Sequence, residues 1–434
     1  MTYPKYRSTR SAEPVSFADA LLQGLAPDGG LFVPTFIPKL DGIDFRKKDG
    51  SFSDLAIDVL TRWLGGELAS ESIRAAARDA LDFPVPLIPL QGDGWDNVHV
   101  LELFHGPTLS FKDFGARTMA RLMSTVIGSA GEELTILVAT SGDTGSAVAD
   151  GFAGVPNVRV VLLYPDGLVS PTQERQLIVK RQGVQAVAVR GNFDDCQRLV
   201  KEAFADPGYD GVQLSSANSI NIGRLLPQML YYIHAVRQLG GAEVVISVPS
   251  GNLGNLTGGV MAALGGMPVR QFLASHNAND FFPRHLTDGS TEWLPSKRTY
   301  SNAMDVGVPS NFERLQHLLT ADDLRRLIRG FSVSDDDTLA SMRRVADECG
   351  YIADPHTAVG LEAVRRYRKS TGSPEPAIVL STAHPAKFPE VTVQALGKKA
   401  PTPERLSRLW DEETNVISIE PSAGALREVV LARW

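Results

Sequence analysis

The chain has 434 residues, 43% of them hydrophobic and 21% charged, with 50 acidic against 43 basic side chains and a net charge of -7. That length suits two or three domains around a large core, and the acidic balance argues against a nucleic-acid footprint, which needs a basic face. Two cysteines, Cys196 and Cys349, exclude a disulfide framework and a four-ligand zinc site. With no apolar run of signal-peptide or membrane-span type, a cytoplasmic protein without a membrane partner is expected.

In chain order, the first hundred residues are irregular: a helix over 17–25, a Pro27-Asp28-Gly29-Gly30 turn and helices between 53 and 81. Residues 105–115 then read His-Gly-Pro-Thr-Leu-Ser-Phe-Lys-Asp-Phe-Gly, ahead of an apolar helical run over 116–123. Lys112 sits between Phe111 and Phe114. Desolvation there disfavours the ammonium form and leaves a nucleophilic amine near neutral pH, the chemistry of a Schiff-base lysine for pyridoxal phosphate. The same pattern also suits a lysine that snorkels out of an aromatic helix start.

From residue 134 the pattern alternates. Strands are expected over 134–138, 158–163, 184–189, 212–214 and 244–248, with helices over 146–152, 171–182, 195–204, 225–239 and 255–264. Helices dominate 305–370, and 377–380 is one more apolar strand. Near-continuous apolar strands between helices indicate parallel sheets covered on both faces.

Polar turns follow several of these strands. Ala139-Thr-Ser-Gly-Asp-Thr-Gly-Ser-Ala offers the hydroxyls of Thr140, Ser141 and Thr144 beside a helix N-terminus, which suits a carboxylate, although Ser141, Asp143 or Thr144 could be a plain N-cap. Ser215-Ser-Ala-Asn-Ser-Ile-Asn-Ile-Gly-Arg places Arg224 where a guanidinium could clamp a phosphate or carboxylate, with Asn218, Ser219 and Asn221 as neutral donors; a capped polar loop is the bland alternative. Gly251, Asn252, Leu253, Gly254 and Asn255 lie between a buried strand and a helix, a turn whose N–H groups can converge on a phosphate. It matches neither the dinucleotide nor the Walker pattern. Thr382, after the last strand, offers an uncharged hydroxyl, while His384 and Lys387 read as ordinary loop residues. Turns beyond the carboxyl ends of parallel strands are where open α/β sheets bind ligands.

Taken in order, HGPTLSFKDFG (105–115), ATSGDTGSA (139–147), SSANSINIGRLLPQ (215–228), VPSGNLGNLTGG (248–259) and STAHPAKFPE (381–390) resemble the threonine synthase family, within the fold-type-II pyridoxal-phosphate enzymes. The opening YRSTRSAEPVSFADALLQGLAPDGGLFVP (6–34) is similar to that family's start. The resemblance implies an α/β fold like the tryptophan synthase β chain: two open, mostly parallel sheets flanked by helices, with an added N-terminal segment. It divides the chain into an N-terminal segment (1–100), a small domain with the lysine (101–225) and a large domain with the phosphate loop (226–434).

By the same resemblance, Lys112 would carry pyridoxal 5'-phosphate, Gly251 to Asn255 would hold its phosphate and Thr382 would face its ring nitrogen. Thr140, Ser141 and Thr144 would bind the substrate carboxylate, and Asn218, Ser219 and Arg224, with Arg175, the substrate phosphate. Much of the superfamily has Asn at the position of Asp143, donating to the cofactor's 3'-oxygen. An ionised Asp143 would repel that oxygen, so it must be protonated, turned away or differently employed. The implied reaction converts O-phospho-L-homoserine and water to L-threonine and phosphate, in a monomer or homodimer. The alternatives are a phospho-lyase or dehydratase giving a 2-oxo acid, with Lys387 as the next candidate for the Schiff base should Lys112 not carry it, and a non-catalytic cofactor-binding protein.

Overall fold

Runs of β-branched and aliphatic residues with no polar alternation can only be satisfied by burial on both faces. In the computed structural model of the chain, which describes residues 2–48, 50–130, 133–209 and 211–432, these runs form the centres of two parallel sheets. The N-terminal strands β1 (Tyr6–Ser8), β2 (Pro14–Val15) and β3 (Phe32–Pro34) make a small antiparallel sheet of their own. They are followed by β4 (Leu87–Pro89) and β5 (Val98–Glu102), then β6 (Leu134–Ala139), β7 (Val158–Pro165), β8 (Val184–Val189) and β9 (Gln213–Ser215). The remaining strands are β10 (Val244–Pro249), β11 (Val269–His276), β12 (Ile328–Ser332), β13 (Ala377–Ser381) and β14 (Val416–Ile419).

The smaller sheet has the order β14-β8-β7-β6-β9 and is parallel throughout. The larger has the order β12-β11-β10-β13-β5-β4, with only the edge strand β4 antiparallel. Every residue of β6, β8, β10 and β13 is buried. The expected segments 1–100, 101–225 and 226–434 do not coincide with the sheets. β4 and most of β5 precede residue 101 yet join the larger sheet, and β14 returns from the C-terminal part to the smaller one.

Two expected helices differ for local reasons. The one over 171–182 ends at Ile178, because Val179 and Arg181 enter β-bridges with Thr414 and Val184. The one over 225–239 is two helices, Ile222–Leu225 and Gln228–Gln238, separated at Pro227, which has no N–H to continue the ladder. Among the described residues no helix is long and apolar enough to cross a membrane.

The helix Lys112–Ala130 anchors the site to the main core. Phe114 is fully buried and meets Phe52, Phe83 and Tyr231 edge-on at centroid distances of 5.6, 4.9 and 5.1 Å. Burying such a ring contributes about 2–3 kcal/mol. Two residues earlier, Lys112 is therefore held at the edge of a fixed core rather than on a free surface.

Candidate active site

The loop carrying Lys112 runs from the end of β5 to the helix start and is stitched to the end of β13. Leu103 N–H donates to Ser381 O (2.9 Å), Phe111 N–H to Thr382 O (2.9 Å) and His384 N–H to Leu109 O (3.0 Å). Leu109 takes a left-handed conformation, φ 59°, a strained geometry costing about 1–3 kcal/mol for a non-glycine residue. Within the loop, buried Asp113 accepts from Thr108 N–H (2.9 Å) and Thr108 Oγ1 (2.6 Å). Burial pushes its carboxyl up to about 6 despite these bonds.

Lys112 is half-buried, its Nζ 5.9 Å from the Phe111 ring centroid and without a hydrogen-bond partner among the described residues. Burial brings its pKa down to about 8; Asp143 opposes that shift, and the positive charges of Lys387 and Arg224 reinforce it. The amine is thus neutral in an appreciable fraction of molecules near neutral pH.

The turn after β10 is shaped by its neighbours. A Cβ on Gly251 would lie 2.8 Å from Met304 Cα, so only glycine fits. Leu253 is again left-handed, φ 60°, and begins the helix Gly254–Gly265. The backbone N–H groups of residues 251–256 donate to no acceptor among the described residues, a run of donors at the positive end of a twelve-residue helix. Asn255 is fixed by Tyr231 and Tyr232, whose hydroxyls donate to its Oδ1 at 2.6 and 2.7 Å. Its buried Nδ2 is left without a partner, as is expected of a donor meant for a ligand.

The loop after β9 abuts this turn, because Asn252 Nδ2 donates to Ser219 Oγ at 2.6 Å. Fully buried Arg314 braces both from behind, donating to Ser219 O (3.1 Å), Asn311 Oδ1 (2.7 Å), Phe32 O (3.0 Å) and Ile220 O. Asn311 Nδ2 in turn donates to Asn252 O at 3.1 Å. Arg224 is buried, with one Nη on Ala217 O and Nε unpaired; Asn218 Oδ1 is likewise buried and unpaired. Desolvation draws the Arg224 guanidinium down to about 10.

The turn after β6 uses Thr140 differently from expectation. Its Oγ1 accepts from Gly142 N–H (3.0 Å) and Gly145 N–H (2.8 Å), so it shapes the turn from within. Ser141 is exposed and Thr144 half-buried, with neither hydroxyl bonded among the described residues, and the N–H groups of 141, 143 and 144 are also undonated. Asp143 is ionised. Burial alone would raise its pKa, but the nearby charges of Lys387 and Lys112 and bonds from Lys387 and Gln173 hold it well below the usual carboxylate range. Lys387 Nζ lies 2.7 Å and Gln173 Nε2 3.0 Å from Asp143 Oδ1.

Lys387 is therefore no ordinary loop residue: it is fully buried, and it also donates to Thr108 O at 3.0 Å. Arg175 is not brought to the others. Its guanidinium bonds the carbonyls of Leu409 (2.7 Å), Trp410 (2.9 Å) and Glu412 (2.6 Å) and lies 5.6 Å from the Trp410 ring, tying down the C-terminal segment. Sequence reasoning missed Asp113, Gln173, Asn311, Arg314 and the tyrosine pair. Of these only Tyr231-Tyr232, an unusual polar-tipped pair on an apolar helix, carried a visible signal.

An amine whose basicity burial lowers, in a fold that also holds a run of undonated N–H groups at a helix start, fits an aldehyde cofactor with a phosphate tail. Residues 81–383 match the family model of pyridoxal-phosphate dependent enzymes, and maize serine racemase shares the fold (TM-score 0.55, 18% identity, 72% of this chain and 92% of that one). The ends of the chain narrow this class: 5–81 match the threonine synthase N terminus and 357–430 the threonine synthase C-terminal model. The chain belongs to the threonine synthase family. It is 42% identical to the threonine synthase of Serratia marcescens over 428 residues (96% of this chain, 97% of the relative). The Escherichia coli enzyme is 42% identical over 427 residues with the same coverage. The crystal structure of pyridoxal-phosphate-bound threonine synthase from Brucella melitensis has a TM-score of 0.91 at 36% identity, covering 98% of each chain.

Proposed function

We propose that this chain converts O-phospho-L-homoserine and water to L-threonine and inorganic phosphate. The observation that supports the reading is a pair of adjoining turns, 251–256 and 218–224, that carry undonated N–H groups and the unpaired Nε of Arg224, with Arg224 in turn close enough to Lys112 to lower its basicity. A phosphorylated cofactor and a phosphorylated amino acid need one each.

Lys112 would hold pyridoxal phosphate through its amine, the N–H groups of 251–255 and Asn255 Nδ2 would take the phosphate, and Thr382 would meet the ring nitrogen with an uncharged hydroxyl. Bound there, the cofactor supplies an electron sink conjugated to the substrate's amino group, which acidifies the protons at Cα and then Cβ. Lys112, freed when the substrate amine takes its place, accepts the proton at Cα, gives it up within the site and, neutral again, accepts one at Cβ. The N–H groups of 141, 143 and 144, with Ser141 and Thr144, orient the substrate carboxylate. Arg224, Asn218 and the N–H of Ser219 hold the phosphate as it departs from Cγ. Lys112 then returns one proton to Cγ and one to Cα, while water gives its hydroxyl to Cβ and its remaining proton to the departed phosphate.

The enzyme is proposed to be cytoplasmic, a monomer or homodimer, with a small-molecule substrate and no nucleic-acid or membrane partner. Product identity tests the reading: cofactor-loaded protein given O-phospho-L-homoserine yields L-threonine. Production of 2-oxobutyrate and ammonia in its place would make it a dehydratase.

A further inference from the structure

Two lysines and one carboxylate share the ground between the turn after β6 and the loop after β13. Lys387 is fully buried and Asp143 only 4% exposed, and they pair at 2.7 Å. Lys387 is held from its other side by Thr108 O at 3.0 Å, and Asp143 Oδ1 is shared with Gln173 Nε2. Lys112 has no such partner among the described residues. We propose that Lys387 is a positioning residue: it occupies the carboxylate of Asp143 so that Lys112 is left as the amine that reacts with an aldehyde. The proposal rests on the reading of Lys112 as the cofactor-bearing lysine.

The physical reason is charge balance. A buried ammonium is costly unless it is paired and hydrogen-bonded. One carboxylate can satisfy one of the two lysines, and the geometry gives it to Lys387. Lys112 then faces Asp143 from a distance, together with the cations of Lys387 and Arg224, while Asp113 lies on its own helix. Depressed basicity of Lys112 agrees with that arrangement. It also gives Asp143 a role that an amide could not fill, since an amide would leave Lys387 charged and unpaired.

The test is the rate at which formaldehyde with cyanoborohydride methylates Lys112 in the cofactor-free full chain at pH 7.5, read by peptide mass spectrometry against surface lysines. Lys387→Met exposes the carboxylate to Lys112, and a rise of one pH unit in its titration slows labelling about tenfold. Lys387→Arg, which can still pair, stays within about twofold of the unmodified protein. The double variant Lys387→Met/Asp143→Asn removes both charges and labels at the original rate or faster. This comparison also decides the matter if the single variant does not fold. Lys387→Met labelled as fast as the original, or a double variant as slow as the expected single one, overturns the proposal. Borohydride reduction of the cofactor-loaded protein reports the underlying reading separately: a pyridoxyl group on a residue other than Lys112 overturns that reading.

Discussion

The backbone N–H of Phe111 donates to the carbonyl oxygen of Thr382 over 2.9 Å, which joins the residue before Lys112 to the residue after β13. Two segments 271 positions apart in sequence (382 minus 111) are thereby fixed to each other through the main chain, and Lys387 Nζ adds a bond to Thr108 O across the same join. None of these bonds uses the side chain of Lys112. Lys112→Ala is accordingly expected to fold as the parent does, to retain no cofactor after denaturation of the reduced protein, and to lose turnover by about three orders of magnitude or more. Intact-mass spectrometry and phosphate release check both.

The pH dependence follows from the sign of the Lys112 shift. Burial disfavours its charged form, so its folded pKa, about 8, lies below the value of 10.5 for an exposed lysine. Cofactor uptake by the empty protein should rise about tenfold per pH unit below 8 and level off above it. The same shift penalises folding below pH 8, and the penalty is relieved as pH rises from 8 towards 10.5. Asp143 behaves oppositely: its depressed pKa stabilises the fold above the ordinary carboxylate range, and that contribution is lost only in strong acid. Stopped-flow uptake between pH 6 and 9.5 measures the first effect.

Gly251→Ala puts a methyl group 2.8 Å from Met304 Cα, which is backbone and cannot swing aside. The turn must open, and affinity for pyridoxal phosphate should fall about tenfold or more with secondary structure retained. Equilibrium dialysis gives the constant, and circular dichroism the fold.

Arg314 spends its donors on the protein itself, tying Phe32 to the 219–220 backbone and to Asn311. Arg314→Met should cost about 3 kcal/mol of stability, since it strips charge-assisted bonds from buried carbonyls. Urea unfolding measures this. Arg224→Lys keeps a charge but loses the planar fork, so KM for O-phospho-L-homoserine should rise about tenfold while kcat changes less.

What the sequence made legible was backbone-determined. The strands β6, β7, β8, β10 and β13 are near-continuous apolar runs, and the turns that follow β6 and β10 are marked by Gly142, Gly145 and Gly251, whose positions leave no room for a side chain. The short strands β5 and β14 went unseen: the sequences Val98-His-Val-Leu-Glu and Val416-Ile-Ser-Ile are too brief to show a period. Within the site, Lys112 was readable from the aromatic residues around it. Lys387 and Arg314 were not, because what distinguishes a buried, paired cation from a surface one is the partner brought by another part of the chain. Arg175 failed for the converse reason: its position on a helix near the site says nothing of the C-terminal carbonyls that take its guanidinium.

In the proposed reaction phosphate leaves by carbon–oxygen cleavage and water then enters at carbon. Incubating cofactor-loaded protein with O-phospho-L-homoserine in ¹⁸O-water, and quantifying both products, tests it directly. Equal amounts of threonine and phosphate are expected, with the heavy oxygen in threonine and none in the phosphate released. Phosphate in excess of threonine, or phosphate carrying the solvent oxygen, would contradict it.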